Sequence, residues 1–195
     1  MSAFGVPSGA FIAVDTTGLP GKIPGWEPKV IGFGVAFVVD DAVVFHTGSL
    51  VYQPPEIVND ARCYGAFRAN GLSRESIYRP ENPREGAVAA QLQQALGGRP
   101  LRGFGVKFLS GVLASAPWNL SAWGDCVMVE AAPWVKVLRS GKAARYCSLP
   151  ASLTWAADLG YDVAAPPEVV LRSEANAVRV AKLTIALRQQ AVAPR

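Results

Sequence analysis

Histidine occurs once in this chain of 195 residues, at position 46, and cysteine three times, at positions 63, 126 and 147, with no C-x-x-C pair among them. One histidine and three scattered thiols leave no basis for a zinc knuckle or a disulfide framework, so the cysteines read as buried free thiols. Charged residues are scarce as well, 17% against 50% hydrophobic, which excludes a disordered, self-repelling polymer. No apolar run approaches the ~18 residues that span a bilayer. The first residues, Met1-Ser2-Ala3-Phe4-Gly5-Val6-Pro7, hold no basic start and no long apolar stretch, so no signal peptide and a cytoplasmic location are expected. No Ser/Gly-rich or charged tract interrupts the chain, and residues 1–195 are expected to form one domain with its own core.

The net charge of +4 is unevenly spread: up to Val135 there are 10 basic and 11 acidic residues, and from Lys136 onward 9 basic and 4 acidic. That C-terminal excess reads either as a phosphate-facing surface or as ordinary solvated charge.

Periodicity places strands first and helices after. Phe11 to Val14 is a short apolar strand, followed by a loop punctuated by Gly18-Leu19-Pro20-Gly21 and Pro24-Gly25. Val30 to Val39 reads as a buried strand, Asp40-Asp41 as a turn, and Ala42 to Tyr52 as a returning strand stopped by Pro54-Pro55. Short turns between sequential strands predict an antiparallel meander. Arg84 to Leu96 repeats its apolar residues at helical spacing until Gly97-Gly98, and a short apolar piece, Leu101 to Val106, precedes a helix around Lys107 to Ala114. A helix from Asp125 to Leu138, kinked or split by Pro133, is also expected. Ser148 would cap a helix reaching Leu159, with Gly160 beyond its end, and Glu168 to Gln190 reads as the longest helix. The sum is an α/β fold: a mixed sheet with helices on both faces and one further strand among the helices.

The segment Phe11-Ile12-Ala13-Val14-Asp15-Thr16-Thr17-Gly18-Leu19 carries the most information. It resembles the first motif of the DEDD (DnaQ-like) 3′–5′ exonucleases, a family of the ribonuclease H-like superfamily, in which an Asp and a Glu two residues apart precede Thr-Thr-Gly-Leu. Leu50-Val51-Tyr52-Gln53-Pro54 is similar to the family's strand ending in a Pro turn, and Ala69-Asn70-Gly71-Leu72-Ser73-Arg74-Glu75 to its His-Gly-Ile-Thr-x-Glu phrase. Gly103-Phe104-Gly105-Val106-Lys107-Phe108-Leu109 resembles the second motif, and Ser148-Leu149 with Leu159-Gly160 the helix before the third. The resemblance implies a ribonuclease H-like sheet throughout the chain and a surface for nucleic acid, single-stranded in particular, formed by Thr16, Thr17, Gly18, Leu19 and Lys107.

The departures fall on the chemistry. The family holds two divalent ions in a cage of carboxylates beside a His or Tyr. In the matching register Asp15 fills the Glu position, whereas Ala13, Leu109 and Asn176 stand where acids are expected and Leu171 where the His belongs; Arg172 occupies the Tyr position of the variant family. His46 reads as an edge-strand residue without a catalytic role. One carboxylate cannot hold a pair of Mg²⁺ ions. Asp125 would add a second acid if its segment passes the sheet edge, or it caps the following helix. A rearranged Mg²⁺ or Mn²⁺ site would have to draw on Asp15, Asp125 and Glu174 or Glu130.

Arg172, Asn176 and Arg179 share one helix face at spacings of four and three, with Lys182 a turn further on. That face would bind phosphate through fixed guanidinium charge in place of metal, or is the solvated side of an amphipathic helix. Trp118, Trp123, Trp134 and Trp155 would stack on bases or pack in the core. Three functions stay open at this point: a non-catalytic nucleic-acid-binding or protein-interaction module without cofactor, an active metal-dependent 3′–5′ exonuclease, and a scaffold that does neither.

Overall fold

The computed structural model describes residues 9–22, 24–135, 138–139, 142–143 and 146–192. Strands β1 (Gly9–Thr16), β2 (Val30–Val39) and β3 (Ala42–Leu50) form the expected antiparallel meander. Asp40 and Asp41 make its two-residue turn with φ of 47° and 60°, the paired left-handed conformation that tight hairpins require and that Asp tolerates. Strands β4 (Leu101–Gly103) and β5 (Trp123–Cys126) add to β1 in parallel, giving a mixed sheet of order β3-β2-β1-β4-β5.

Strand alternation sorts the core into two layers. Ala10 and Ile12 of β1 pack with Val35 against α4 (Glu85–Leu96) and α5 (Val106–Leu113). Phe11, with Ala13 at its edge, packs with Ala36 and Val38 against α6 (Val127–Val135), α7 (Leu149–Asp158) and α8 (Arg172–Val192). Helices therefore cover both faces. A third cluster, Ile31, Val58, Cys63, Phe67 and Ile77, fixes an arm made of α1 (Pro55–Val58), a 3-10 turn (Ala61–Cys63), α2 (Tyr64–Asn70) and α3 (Arg74–Ile77). Among the described residues no helix is long and apolar enough to cross a membrane.

Helix α8 lies unusually close to the sheet. A Cβ on Gly34 would stand 2.2 Å from Glu174 Cα, and one on Gly48 2.7 Å from Glu174 Cβ. Only glycine admits such an approach, so these two positions seat the start of α8 on β2 and β3.

Several sequence expectations are corrected. Asp125 and Cys126 belong to β5, so Asp125 is not a helix cap, and two strands rather than one join the main sheet after the meander. Trp123-Gly124-Asp125-Cys126 has no alternating pattern; the open edge of β4 recruits it, which is tertiary pairing overriding propensity. Helix α6 begins at Val127 and contains Pro133 near its end, while Leu138 lies in a two-residue hairpin, β6 (Leu138–Arg139) with β7 (Lys142–Ala143). Helix α8 begins at Arg172 instead of Glu168, because Pro166 to Val169 closes a turn, with the Val169 amide donating to the Pro166 carbonyl at 3.0 Å. The helices of the arm had no counterpart in the sequence reading.

Candidate nucleic-acid interface

Asp15 sits near the C-terminal end of β1, opposite Gly32, on the face that carries α8. It is buried, 5% exposed. Its neighbours come from the first turn of the helix: burial pushes the Asp15 carboxyl above the ordinary carboxylate range, while Ser173, through hydroxyl and amide, and the charge of Arg172 pull it back. The Ser173 hydroxyl and Asp15 Oδ2 flank the space above Gly32, at 3.3 and 3.4 Å from where its Cβ would be, yet neither reaches the geometry of a full hydrogen bond and both end buried without a partner. Asp15 faces the positive end of α8, which favours its anion but does not outweigh the burial that raises its pKa.

The turn after β1 is held by its own hydroxyls. Thr16 Oγ1 donates to the Gly18 carbonyl at 2.6 Å, and Thr17 Oγ1 accepts from the Lys29 amide at 2.8 Å. Thr16 and Thr17 are therefore committed to the turn, and Leu19, 52% exposed, is the side chain this turn offers to solvent. Asn70 Nδ2 donates to the Thr16 carbonyl at 3.2 Å, and Arg172 donates to the Ala69 carbonyl, which docks the end of α2 onto both the turn and α8. Arg179 donates to Asn176 Oδ1 at 3.4 Å, confirming that these two share a face, and Lys107 is exposed in the first turn of α5. Lys182 is taken up by Asp162 at 2.6 Å.

Comparison with solved structures decides the architecture. The nuclease domain of 3'hExo, a DEDDh family member, bound to rAMP, superposes with a TM-score of 0.66 over 100% of this chain and 98% of its own, at 14% identity. Exonuclease X in complex with 5′ overhanging duplex DNA gives 0.61 over 95% and 93%, at 16% identity. The chain has the fold of a DEDDh-type 3′-exonuclease domain. E. coli exonuclease I in complex with an oligonucleotide also matches, with a TM-score of 0.61 and 14% identity, this chain aligning with 40% of its length. No family model matches the sequence, and neither does any curated protein.

Against that exonuclease fold the acids of this chain are dispersed. Glu174 turns away from Asp15 towards β3, where its Oε1 lies 2.7 Å from His46 Nδ1. Sequence reasoning missed this pair. Its only signal was that His46 and Gly48 alternate on one strand face, which becomes informative once α8 is known to lie there. Glu130 is engaged by Arg102, and Asp125 lies exposed on the edge strand with its carbonyl accepting from Arg102 Nε at 3.3 Å. Among the described residues, which include every Asp, Glu, His and Cys of the chain, no three of these types come together as a metal site. The donor set around Asp15, one carboxylate, one hydroxyl and one guanidinium, does not fit a pair of divalent ions that bring four positive charges and demand oxygen ligands.

The burial of Asp15 has a measurable consequence. Its folded-state pKa is raised, so the stability it contributes is fully present below its unfolded value near ~3.9 and is lost as pH rises through the folded value. Asp15→Asn, which cannot ionise, is expected to melt at or above the wild-type temperature at pH 7, with the gap closing below about pH 4. Thermal melts of both proteins across this range provide the check, and an Asn variant that is the weaker of the two at neutral pH would show that ionised Asp15 holds the fold together.

Proposed function

We propose that this chain is a non-catalytic, single-strand-binding module built on an exonuclease fold. The observation that carries the reading is the set of Asp15, Ser173 and Arg172 at the start of α8, with no cluster of metal-ligating side chains among the described residues. A fixed guanidinium at that point supplies positive charge without a metal, and it forks onto phosphate more readily than a point charge does. Exonuclease X and exonuclease I are both described in complexes with DNA, and on this chain we assign the strand contacts to Leu19, Lys107, Arg172, Asn176 and Arg179, of which Leu19, Lys107 and Arg172 are exposed.

Two measurements test it. Incubation of the purified chain with a labelled single strand and Mg²⁺ or Mn²⁺ is expected to release no nucleotides; release that disappears in Asp15→Asn would overturn the non-catalytic reading. Binding of the intact strand is expected to weaken as salt rises. Replacing Arg172 and Arg179 together by Ala should lower the magnitude of the salt slope by roughly 1 to 2, since each lost phosphate contact removes about 0.7. A slope that stays at the wild-type value would show that the face is only solvated.

A further inference from the structure

The loop between β1 and β2 places an indole where no motif asks for one. Trp26 abuts the Thr16–Leu19 turn, its Nε1 lying 3.4 Å from where a Cβ on Gly18 would stand, and that N–H is buried with no hydrogen-bond partner. A buried donor left unsatisfied is destabilising, so hydrogen bonding does not explain the placement of the ring. What the ring does have is a cation on its face: the Arg62 guanidinium lies 4.1 Å from the ring centroid. The guanidinium is held there by Asp60, with Nε to Oδ1 at 2.8 Å and Nη2 to Oδ2 at 2.5 Å, and the same contacts lower the Asp60 pKa to about 2.

Beside this stacked pair runs an open groove of ≈ 650 Å³ bordered by Gly21, Trp26, Glu27, Lys29, Ile57 and Arg62. Trp26 and Lys29 also line a smaller cavity of ≈ 230 Å³ together with Trp118. Lys29 Nζ is held only loosely, 3.9 Å from an exposed Glu27 carboxylate, and so remains available to a phosphate. A planar guanidinium on an indole, the loosely held Lys29 ammonium and a groove whose aliphatic lining is confined to Pro24 and Ile57 suit a flat base on a charged backbone better than an apolar helix or an acyl chain.

We propose that the groove beside Trp26 is a nucleobase-stacking subsite, taking one base of a single strand that passes the Thr16–Leu19 turn. The proposal rests on the nucleic-acid reading above and extends it to a loop that lies outside every motif of the resemblance. Stacking and phosphate contacts respond differently to salt, which makes the subsite separable from the basic face of α8. Loss of a stacked base lowers affinity by the same factor at every salt concentration and leaves the slope unchanged.

The experiment is fluorescence anisotropy of a labelled 12-nucleotide thymidine strand, and of the same strand with abasic positions, binding to the full chain. Trp26→Ala is expected to weaken the normal strand about tenfold with an unaltered salt slope, and to bind normal and abasic strands alike, while wild type prefers the normal strand. Trp26→Phe, which keeps an aromatic ring and the packing of the loop, should retain most of the affinity, so a loss in the Ala variant is not mistaken for misfolding. A wild type that binds the strand but is unaffected by Trp26→Ala, or that binds normal and abasic strands equally, overturns the subsite and leaves the nucleic-acid reading standing. A wild type that binds neither strand overturns both.

Discussion

Gly34→Ala is expected to be the most damaging single-methyl change in this protein. The added carbon would sit 2.2 Å from Glu174 Cα, 2.3 Å from Glu174 N and 2.5 Å from the Ser173 carbonyl carbon, all helix backbone, which no side-chain rotation relieves. The helix must lift from β2, and with it go the His46–Glu174 hydrogen bond and the seat of Ser173 beside Asp15. Overpacking against backbone in a core costs about 3 kcal/mol or more, which for a domain of this size lowers Tm by about 6–12 °C. Gly111→Ala is the matched control: it lies in α5 with nothing within 4 Å of the new carbon, and a helical Gly→Ala there should stabilise by about 0.5–1 kcal/mol. Melting curves of the two variants compare them directly. A Gly34→Ala protein that melts with the wild type would mean that α8 does not rest on the strand in this way.

That glycine also shows where the sequence stops being legible. The meander could be read because β2 is rich in Val, Ile and Phe, interrupted by Gly32, Gly34 and Ala36, and because Asp40-Asp41 supplies a turn that needs left-handed backbone. Helices α4, α5 and α7 announced themselves through period and caps, Ser148 accepting from the Ala151 amide as expected. What failed was whatever depended on a distant partner. Trp123 to Cys126 becomes a strand only because β4 offers an edge, and the four-residue helices α1 and α3 are too short to show a period, being held by the cluster around Ile31. The site divides in the same way. That Ala13, Leu109 and Asn176 stand where the resemblance expects acids is visible in the sequence, but the residue that faces Asp15 is Ser173, and the partner of Glu174 is His46, 128 positions away. Both follow from the close docking of α8, which is encoded by two strand glycines with no periodic signature of their own.

Placing an acid at position 13 by Ala13→Asp is expected to harm the fold without producing nuclease activity. Ala13 pairs with Gly34 and is partly buried against the layer that contains α8. A carboxylate there shares a strand face with Asp15, two residues on, whose own carboxyl burial already disfavours as an anion. Arg172 is the cation whose charge reaches Asp15, and it also donates to the Ala69 carbonyl. Two like charges in one poorly solvated place raise each other's pKa, and an inadequately paired buried charge costs on the order of 2 kcal/mol even where water reaches part of it. The variant should therefore melt below wild type at pH 7 and recover as acid neutralises the pair, since groups with raised folded-state pKa values destabilise only while they are driven to ionise. It should release no nucleotides from a single strand, because positions 109 and 176 still offer Leu and Asn. The deciding measurement is its melting temperature with and without millimolar Mg²⁺ or Mn²⁺. A metal that binds only the folded state stabilises it in proportion to the logarithm of its concentration over Kd, so two nearby carboxylates able to hold a divalent ion would raise Tm even without catalysis. We expect no such rise, because Arg172 and Ser173 remain beside Asp15. A clear metal-dependent shift would show that this surface can bind a divalent ion once a carboxylate stands at position 13, and the non-catalytic reading would then rest on Leu109, Leu171 and Asn176 rather than on an inability to hold metal.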